Sequence, residues 1–220
     1  MLRREFSMSA ASAASALLLS HPAQAQGQGK PPQEGADYIL LDKVATTEAA
    51  AGKIEVVEFF WYSCPHCNRF EPQLEAWTKK MPKDVVLRRA PVAFRADFEP
   101  QQRLYFVLEA MGKVDEIHKK VFAAIHTEKL PLNTPEQIAD WAEKQGISKA
   151  KFMEAYNSFP VATKARKSTQ LQDAYKVDGV PALGVAGKYY TSGSVAQSME
   201  RALVVTDYVI GLARAKSGKA

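Results

Sequence analysis

Seven of the nine residues Ile54-Glu55-Val56-Val57-Glu58-Phe59-Phe60-Trp61-Tyr62 are β-branched or aromatic, and they cluster rather than alternate. That pattern predicts a central strand covered on both faces. Tyr38-Ile39-Leu40-Leu41 is a shorter strand candidate, and Val85-Val86-Leu87 opens another that runs toward Val92-Ala93-Phe94. After the central run, Phe70, Leu74 and Trp77 recur at helical spacing, so Ser63-Cys64-Pro65-His66-Cys67 lies at a strand-to-helix junction. From about Ala96 to Leu171 the period is helical. Leu104, Val107, Leu108 and Met111 share one face before Gly112, and Ile117, Val121 and Ile125 share another. Thr134-Pro135-Glu136-Gln137 joins an N-cap, a first-turn Pro and a capping-box Gln, and Gly146 ends the helix that follows. Phe152, Ala155 and Tyr156 mark a short helix before Pro160, with a longer one predicted from about Val161 to Tyr175. Strand character returns at Ala182-Leu183-Gly184-Val185 and, after Ala186-Gly187-Lys188, at Tyr189-Tyr190. A last helix is predicted from about Val195, with Met199, Ala202, Leu203 and Ile210 inward.

The first 25 residues follow another pattern. Arg3 and Arg4 precede an apolar, small-residue stretch from about Ala10 to Leu19, and Ala23-Gln24-Ala25 forms a cleavage pattern. This reads as a secretory signal peptide over 1–25, because the apolar run is half of the ~20 residues that span a bilayer. The Arg3-Arg4-x-Phe6 order fits both general export and a twin-arginine signal. Residues 26–35, rich in Gln, Gly and Pro, read as a flexible tail.

Of the 220 residues, 46% are hydrophobic and 24% charged, which is globular composition, and the length suffices for a core without staples. Lys and Arg exceed Asp and Glu by 29 to 24, but the basic residues stand singly or in pairs such as Arg88-Arg89. They read as a solvated surface; a nucleic-acid site calls for a basic stripe with aromatic platforms.

Chemistry concentrates at Cys64-Pro65-His66-Cys67, which holds the only two cysteines. At a helix start, Cys64 sees free backbone N–H groups and the positive end of the helix dipole, which favour the thiolate that attacks or leaves a disulfide. Pro65 costs the helix nothing, its missing N–H being one of the unpaired set. A protonated or donating His66 adds to the effect. Each unit by which the Cys64 pKa falls below ambient pH adds about 30 mV of oxidising power. A zinc half-site would need two further ligands, with only His66, His118 and His126 left after the leader, so no metal is expected. A structural disulfide closing so short a loop contributes little entropy. A second landmark is Gly179-Val180-Pro181-Ala182, a Pro opening a late strand.

The signal peptide, Glu58-Phe59-Phe60 leading into Cys64-Pro65-His66-Cys67, the helical block, and Val180-Pro181 before Gly187-Lys188-Tyr189 together resemble the DsbA family of periplasmic thiol:disulfide oxidoreductases. That family is itself a standard example of a depressed cysteine pKa and an oxidising couple. The resemblance implies an α/β thioredoxin fold, residues 36–95 and 172–220, split by an all-helical domain at 96–171. It implies that Cys64 is the exposed nucleophile that forms a mixed disulfide with a substrate protein, Cys67 the buried resolving thiol, and Glu58 an acidic residue relaying the proton of Cys67. Pro181 would be cis, with the Val180 backbone pairing with an extended substrate. Phe59 and Phe60 are expected in the core, Trp61 and Tyr62 along the peptide groove. Gly184 departs from the expected β-branched residue, which predicts a bulge or a close backbone approach. The implied activity is disulfide donation to reduced, unfolded exported proteins in the periplasm, with no cofactor beyond the Cys64-Cys67 disulfide. Reoxidation would come from a quinone-linked membrane oxidase of the DsbB type. The chain is expected to be a monomer that binds no nucleic acid. A reductase or isomerase on the same fold, and a peptide-binding chaperone, are the competing readings.

Overall fold

The computed structural model describes residues 30–217, and the expected leader and residues 26–29 of the tail lie outside them. The tail expected to reach residue 35 ends sooner: the Gly35 N–H donates to the Tyr38 carbonyl at 2.8 Å and the Asp37 N–H to the Gln33 carbonyl at 2.8 Å. A positive φ of 80° at Gly35 lets this turn close.

Strands β1 (Ile39–Leu40), β2 (Ile54–Phe60), β3 (Val85–Pro91), β4 (Ala182–Val185) and β5 (Tyr189–Ser192) form one sheet in the order β1-β5-β4-β2-β3. β2 and β3 are parallel and the other pairings antiparallel. Helix α1 (Pro65–Thr78) makes the β2–β3 crossover. Helices α2 (Glu99–Ala110), α3 (Val114–His126), α4 (Pro135–Lys144), α5 (Lys149–Tyr156) and α6 (Phe159–Ala174) all fall between β3 and β4, and α7 (Met199–Ser217) follows β5. This is the expected α/β thioredoxin arrangement with helices inserted.

Every residue of β2 is buried, Glu55 and Glu58 with its apolar neighbours, as befits a central strand covered on both faces. Ile54 and Val56 meet Phe70 and Leu74 of α1 and Val205 and Val209 of α7 on one face, while Val57 and Phe59 meet Leu171 and Tyr175 on the other. Phe60 joins the core of α2, α3 and α4 with Leu104, Ile117 and Ile138. A fully buried Phe, Ile or Leu contributes about 1.5–3 kcal/mol, so the end of β2 that carries the cysteine loop is firmly anchored.

Local signals act where they were read. The Thr134 hydroxyl and the Gln137 side chain complete a reciprocal capping box on α4. Three details differ. α6 begins at Phe159 with Ser158 as N-cap, so Pro160 sits inside its first turn, where a missing N–H costs nothing. α7 starts at Met199 rather than Val195; the Ser192 hydroxyl accepts from the Val195 N–H at 3.3 Å and shapes a turn before it. Gly184 makes neither a bulge nor a backbone contact. It pairs in register with Val57 and Tyr190, and a Cβ there would stand 2.3 Å from Cε1 of Tyr175. The glycine makes room for a ring whose hydroxyl accepts from the Gly187 N–H at 2.9 Å.

Candidate active site

Cys64 is the N-cap of α1, with extended backbone (φ −78°, ψ 117°), and Pro65 occupies the first turn. No acidic residue sits in that turn, so nothing offsets the positive helix end facing the sulfur. The Cys67 N–H donates to Cys64 Sγ at 3.4 Å. On the opposite side the Cys64 thiol donates to the Val180 carbonyl at 3.3 Å, and the Val180–Pro181 peptide bond is cis. The loop before β4 therefore lies against the cysteine.

The two thiols are driven apart in acidity. The Cys67 thiol, by hydrogen-bonding to the Cys64 sulfur, lowers Cys64 to about 6 against the opposing effect of burial, helped by the backbone N–H groups of Cys67 and His66 and by the His66 charge. Burial pushes Cys67 well above the ordinary thiol value, and the neighbouring Cys64 adds to the rise. Pro65 and His66 are exposed. Arg69 Nη2 lies 2.7 Å from His66 Nδ1, so the exposed imidazole is in contact with the guanidinium one turn along α1.

Glu58 is fully buried, with a relative exposure of 0%, so it is not a strand-surface residue. Arg89 Nε lies 3.0 Å from its Oε2, yet neither Glu58 oxygen reaches hydrogen-bond geometry with a partner among the described residues. Arg89 Nη2 also donates to Glu71 Oε2 at 2.9 Å. Burial and the charge of Glu71 raise the Glu58 pKa well above the carboxylate range, outweighing Arg89. The pair Arg88-Arg89 is thus not a solvated surface: Arg88 faces Glu48 and Glu55, at 3.0 and 3.8 Å, and Arg89 is sunk between two carboxyls.

Phe59 and Phe60 are core residues as expected, but Tyr62 is 1% exposed and lines no groove. Its hydroxyl makes a hydrogen bond of 2.8 Å with His118 Nδ1, and its carbonyl accepts from His126 Nε2 at 2.7 Å. Trp61 is half-buried and stacks on Phe98 with ring centres 3.9 Å apart. Ser63 is tied by Gln101, whose Oε1 accepts from the Ser63 N–H at 3.0 Å and whose Nε2 donates to its hydroxyl at 2.7 Å. Arg69, Glu71, Arg89, Gln101 and His118 escaped the reading of the sequence. Of these only Glu71 carries a local signal, lying four residues after Cys67 on the inner face of α1.

The sequence profile of the DSBA-like thioredoxin domain matches residues 55–203. The chain belongs to this DsbA-like family. The thiol:disulfide interchange protein DsbA of Burkholderia cepacia is 41% identical over 186 residues, 84% of this chain and 88% of its own length. DsbA of Pseudomonas aeruginosa is 40% identical over 185 residues, and its crystal structure superposes with a TM-score of 0.79 over 84% of this chain and 95% of that one. DsbA of Xylella fastidiosa, 30% identical, gives a TM-score of 0.79 over 84% and 100%. As a DsbA-family protein, the chain is a thiol:disulfide oxidoreductase that introduces disulfide bonds into substrate proteins through its own redox-active disulfide, without a cofactor.

Proposed function

We propose that the disulfide donated is Cys64–Cys67, with Cys64 the attacked sulfur and Cys67 the buried one. The observation that carries this reading is the placement of the two sulfurs: Cys64 is the N-cap of α1 and its Sγ accepts from the Cys67 N–H at 3.4 Å, whereas Cys67 is fully buried, which is the arrangement that lowers the first thiol and raises the second. A substrate thiolate bonds to Cys64 Sγ, the Cys64–Cys67 bond breaks, and its electron pair leaves on Cys67. So basic a thiolate takes up a proton at once, and Glu58, whose pKa burial raises and which acts electrostatically on Cys67, is the acid that supplies it. A second substrate thiolate then attacks the substrate sulfur of the mixed disulfide, and Cys64 leaves as the stabilised thiolate.

In the disulfide form Cys64 carries no proton, so the Val180 carbonyl that accepts from the reduced thiol is free for an extended substrate backbone beside Pro181. His66 and Pro65 complete the exposed rim. The reading includes export with cleavage after Ala25, work in the periplasm on reduced, unfolded proteins as a monomer, and reoxidation by a quinone-linked membrane oxidase of the DsbB type. Residues 36–95 with 172–220 serve as the catalytic domain and 96–171 as its helical insertion. The test is trapping in cells: Cys67→Ser is expected to accumulate mixed disulfides with exported proteins and with that membrane oxidase, and Cys64→Ser none. Equal adducts from both variants, or none from Cys67→Ser, would reverse or remove the assigned roles.

A further inference from the structure

A chain of five polar side chains, four of them buried and Arg89 half-buried, runs beneath the cysteine loop, and its fourth member, His118, comes from the helical block. From β2 it passes from Glu58 to Arg89 at 3.0 Å, from Arg89 to Glu71 at 2.9 Å, from Glu71 Oε1 to His118 Nε2 at 3.2 Å, and from His118 Nδ1 to the Tyr62 hydroxyl at 2.8 Å. His118, on α3, is 4% exposed and walled by the rings of Phe60, Tyr105 and Phe122. The titratable groups around it are Glu71 on α1, Tyr62 before α1, Arg89 on β3, Glu58 on β2, Tyr105 on α2 and Lys119 on its own helix.

Two partners fix its tautomer. The Tyr62 hydroxyl can donate to Nδ1, which leaves the single imidazole proton on Nε2, pointing at Glu71. Burial depresses the His118 pKa, in keeping with a neutral ring. Glu71 would be driven up by burial, but the hydrogen bond from His118, with the charge of Arg89 behind it, leaves it lowered. Two carboxyls flank one guanidinium, and like charges so placed do not both ionise easily. Which of them keeps the proton decides whether Glu58 can act as an acid toward Cys67.

We propose that His118 is a positioning residue for proton transfer at Cys67: by donating Nε2–H to Glu71 it keeps Glu71 as the ionised partner of Arg89 and leaves the proton of the pair on Glu58. The inference rests on the reading of Glu58 as the acid for Cys67.

The test is the single-turnover oxidation of a reduced peptide by the oxidised protein across pH, with each rate divided by the thiolate fraction of the peptide. In the wild type the corrected rate falls as Glu58 ionises. In His118→Leu the proton is shared with Glu71, and the inflection is expected to move down by about half a pH unit or more, about threefold in corrected rate on its alkaline side. His118→Gln, whose amide can both accept from Tyr62 and donate to Glu71, is expected to restore the wild-type inflection. A purely structural role would lower thermal stability and leave the inflection in place. Should His118→Leu fail to fold, Glu71→Gln removes the held charge and is expected to move the inflection the same way; an unmoved inflection there overturns the proposal. A His118→Leu profile that overlays the wild type while Glu58→Gln abolishes the inflection overturns the role of His118 alone. An inflection that persists in Glu58→Gln overturns the reading of Glu58, and the role of His118 with it.

Discussion

The acidity of Cys64 depends most on its partner cysteine, and the two ways Cys67 reaches it can be separated. The Cys67 backbone N–H donates to Cys64 Sγ at 3.4 Å, and the Cys67 thiol is the largest single influence holding Cys64 down to about 6. Cys67→Ala removes the thiol and keeps the N–H. A hydrogen bond to a charged group contributes about 1.5–3 kcal/mol, and 1.36 kcal/mol is one pKa unit, so Cys64 is expected to rise by about one to two units. Cys67→Ser retains an O–H donor at the same position, so its Cys64 is expected to titrate below that of Cys67→Ala by about one unit. Each variant has a single thiol, so ultraviolet thiolate absorbance against pH reads Cys64 without interference. Equal midpoints in Cys67→Ala and Cys67→Ser would refute the reasoning, because the donor would then contribute nothing.

A lowered Cys64 also sets how stability depends on pH. Because its pKa is depressed in the folded reduced protein, the stabilisation is fully present above the ordinary thiol value of 9.0 and is lost as pH falls through about 6. At neutral pH it is at most about 1.4 kcal/mol, or about 30 mV, since solvent at the exposed rim screens the sulfur. Reduced protein is therefore expected to lose denaturant stability relative to oxidised protein between about pH 7 and pH 5, and parallel curves would contradict the thiolate assignment. His66→Ala keeps the backbone N–H that acts on Cys64 and removes only a smaller influence, so the Cys64 midpoint is expected to rise by less than one unit; a rise as large as that in Cys67→Ala would make the imidazole the principal stabiliser. Gly184→Val drives a side chain into the Tyr175 ring and is expected to cost about 1–3 kcal/mol in denaturant unfolding. An unchanged midpoint would mean that Tyr175 moves freely.

What was legible in the sequence was what neighbours along the chain determine. The apolar run of β2, the spacing of Phe70 and Leu74 on α1, the capping box at Thr134 and the N-cap position of Cys64 depend on residues a few places apart. The network under the site depends on strand register and helix placement. Arg89 stands beside Glu58 because β3 pairs with β2 in that register, an alignment that nothing in Arg88-Arg89 announces. His118 reaches Tyr62 across 56 positions, and Gly184 meets Tyr175 from the adjoining helix cap. Tyr62 was assigned to the groove because an aromatic next to a reactive cysteine suits either surface or core; His118 and His126, which grip it from two sides, decide for the core.

The central claim is that the Cys64–Cys67 couple runs in the oxidising direction. Its most direct test is the redox equilibrium of the protein lacking residues 1–25 against a glutathione series, followed by the fluorescence of Trp61 and Trp77. A potential near or above about −180 mV is the result expected of a disulfide donor, and one near about −270 mV, the range of a thioredoxin-like reductase, would contradict it.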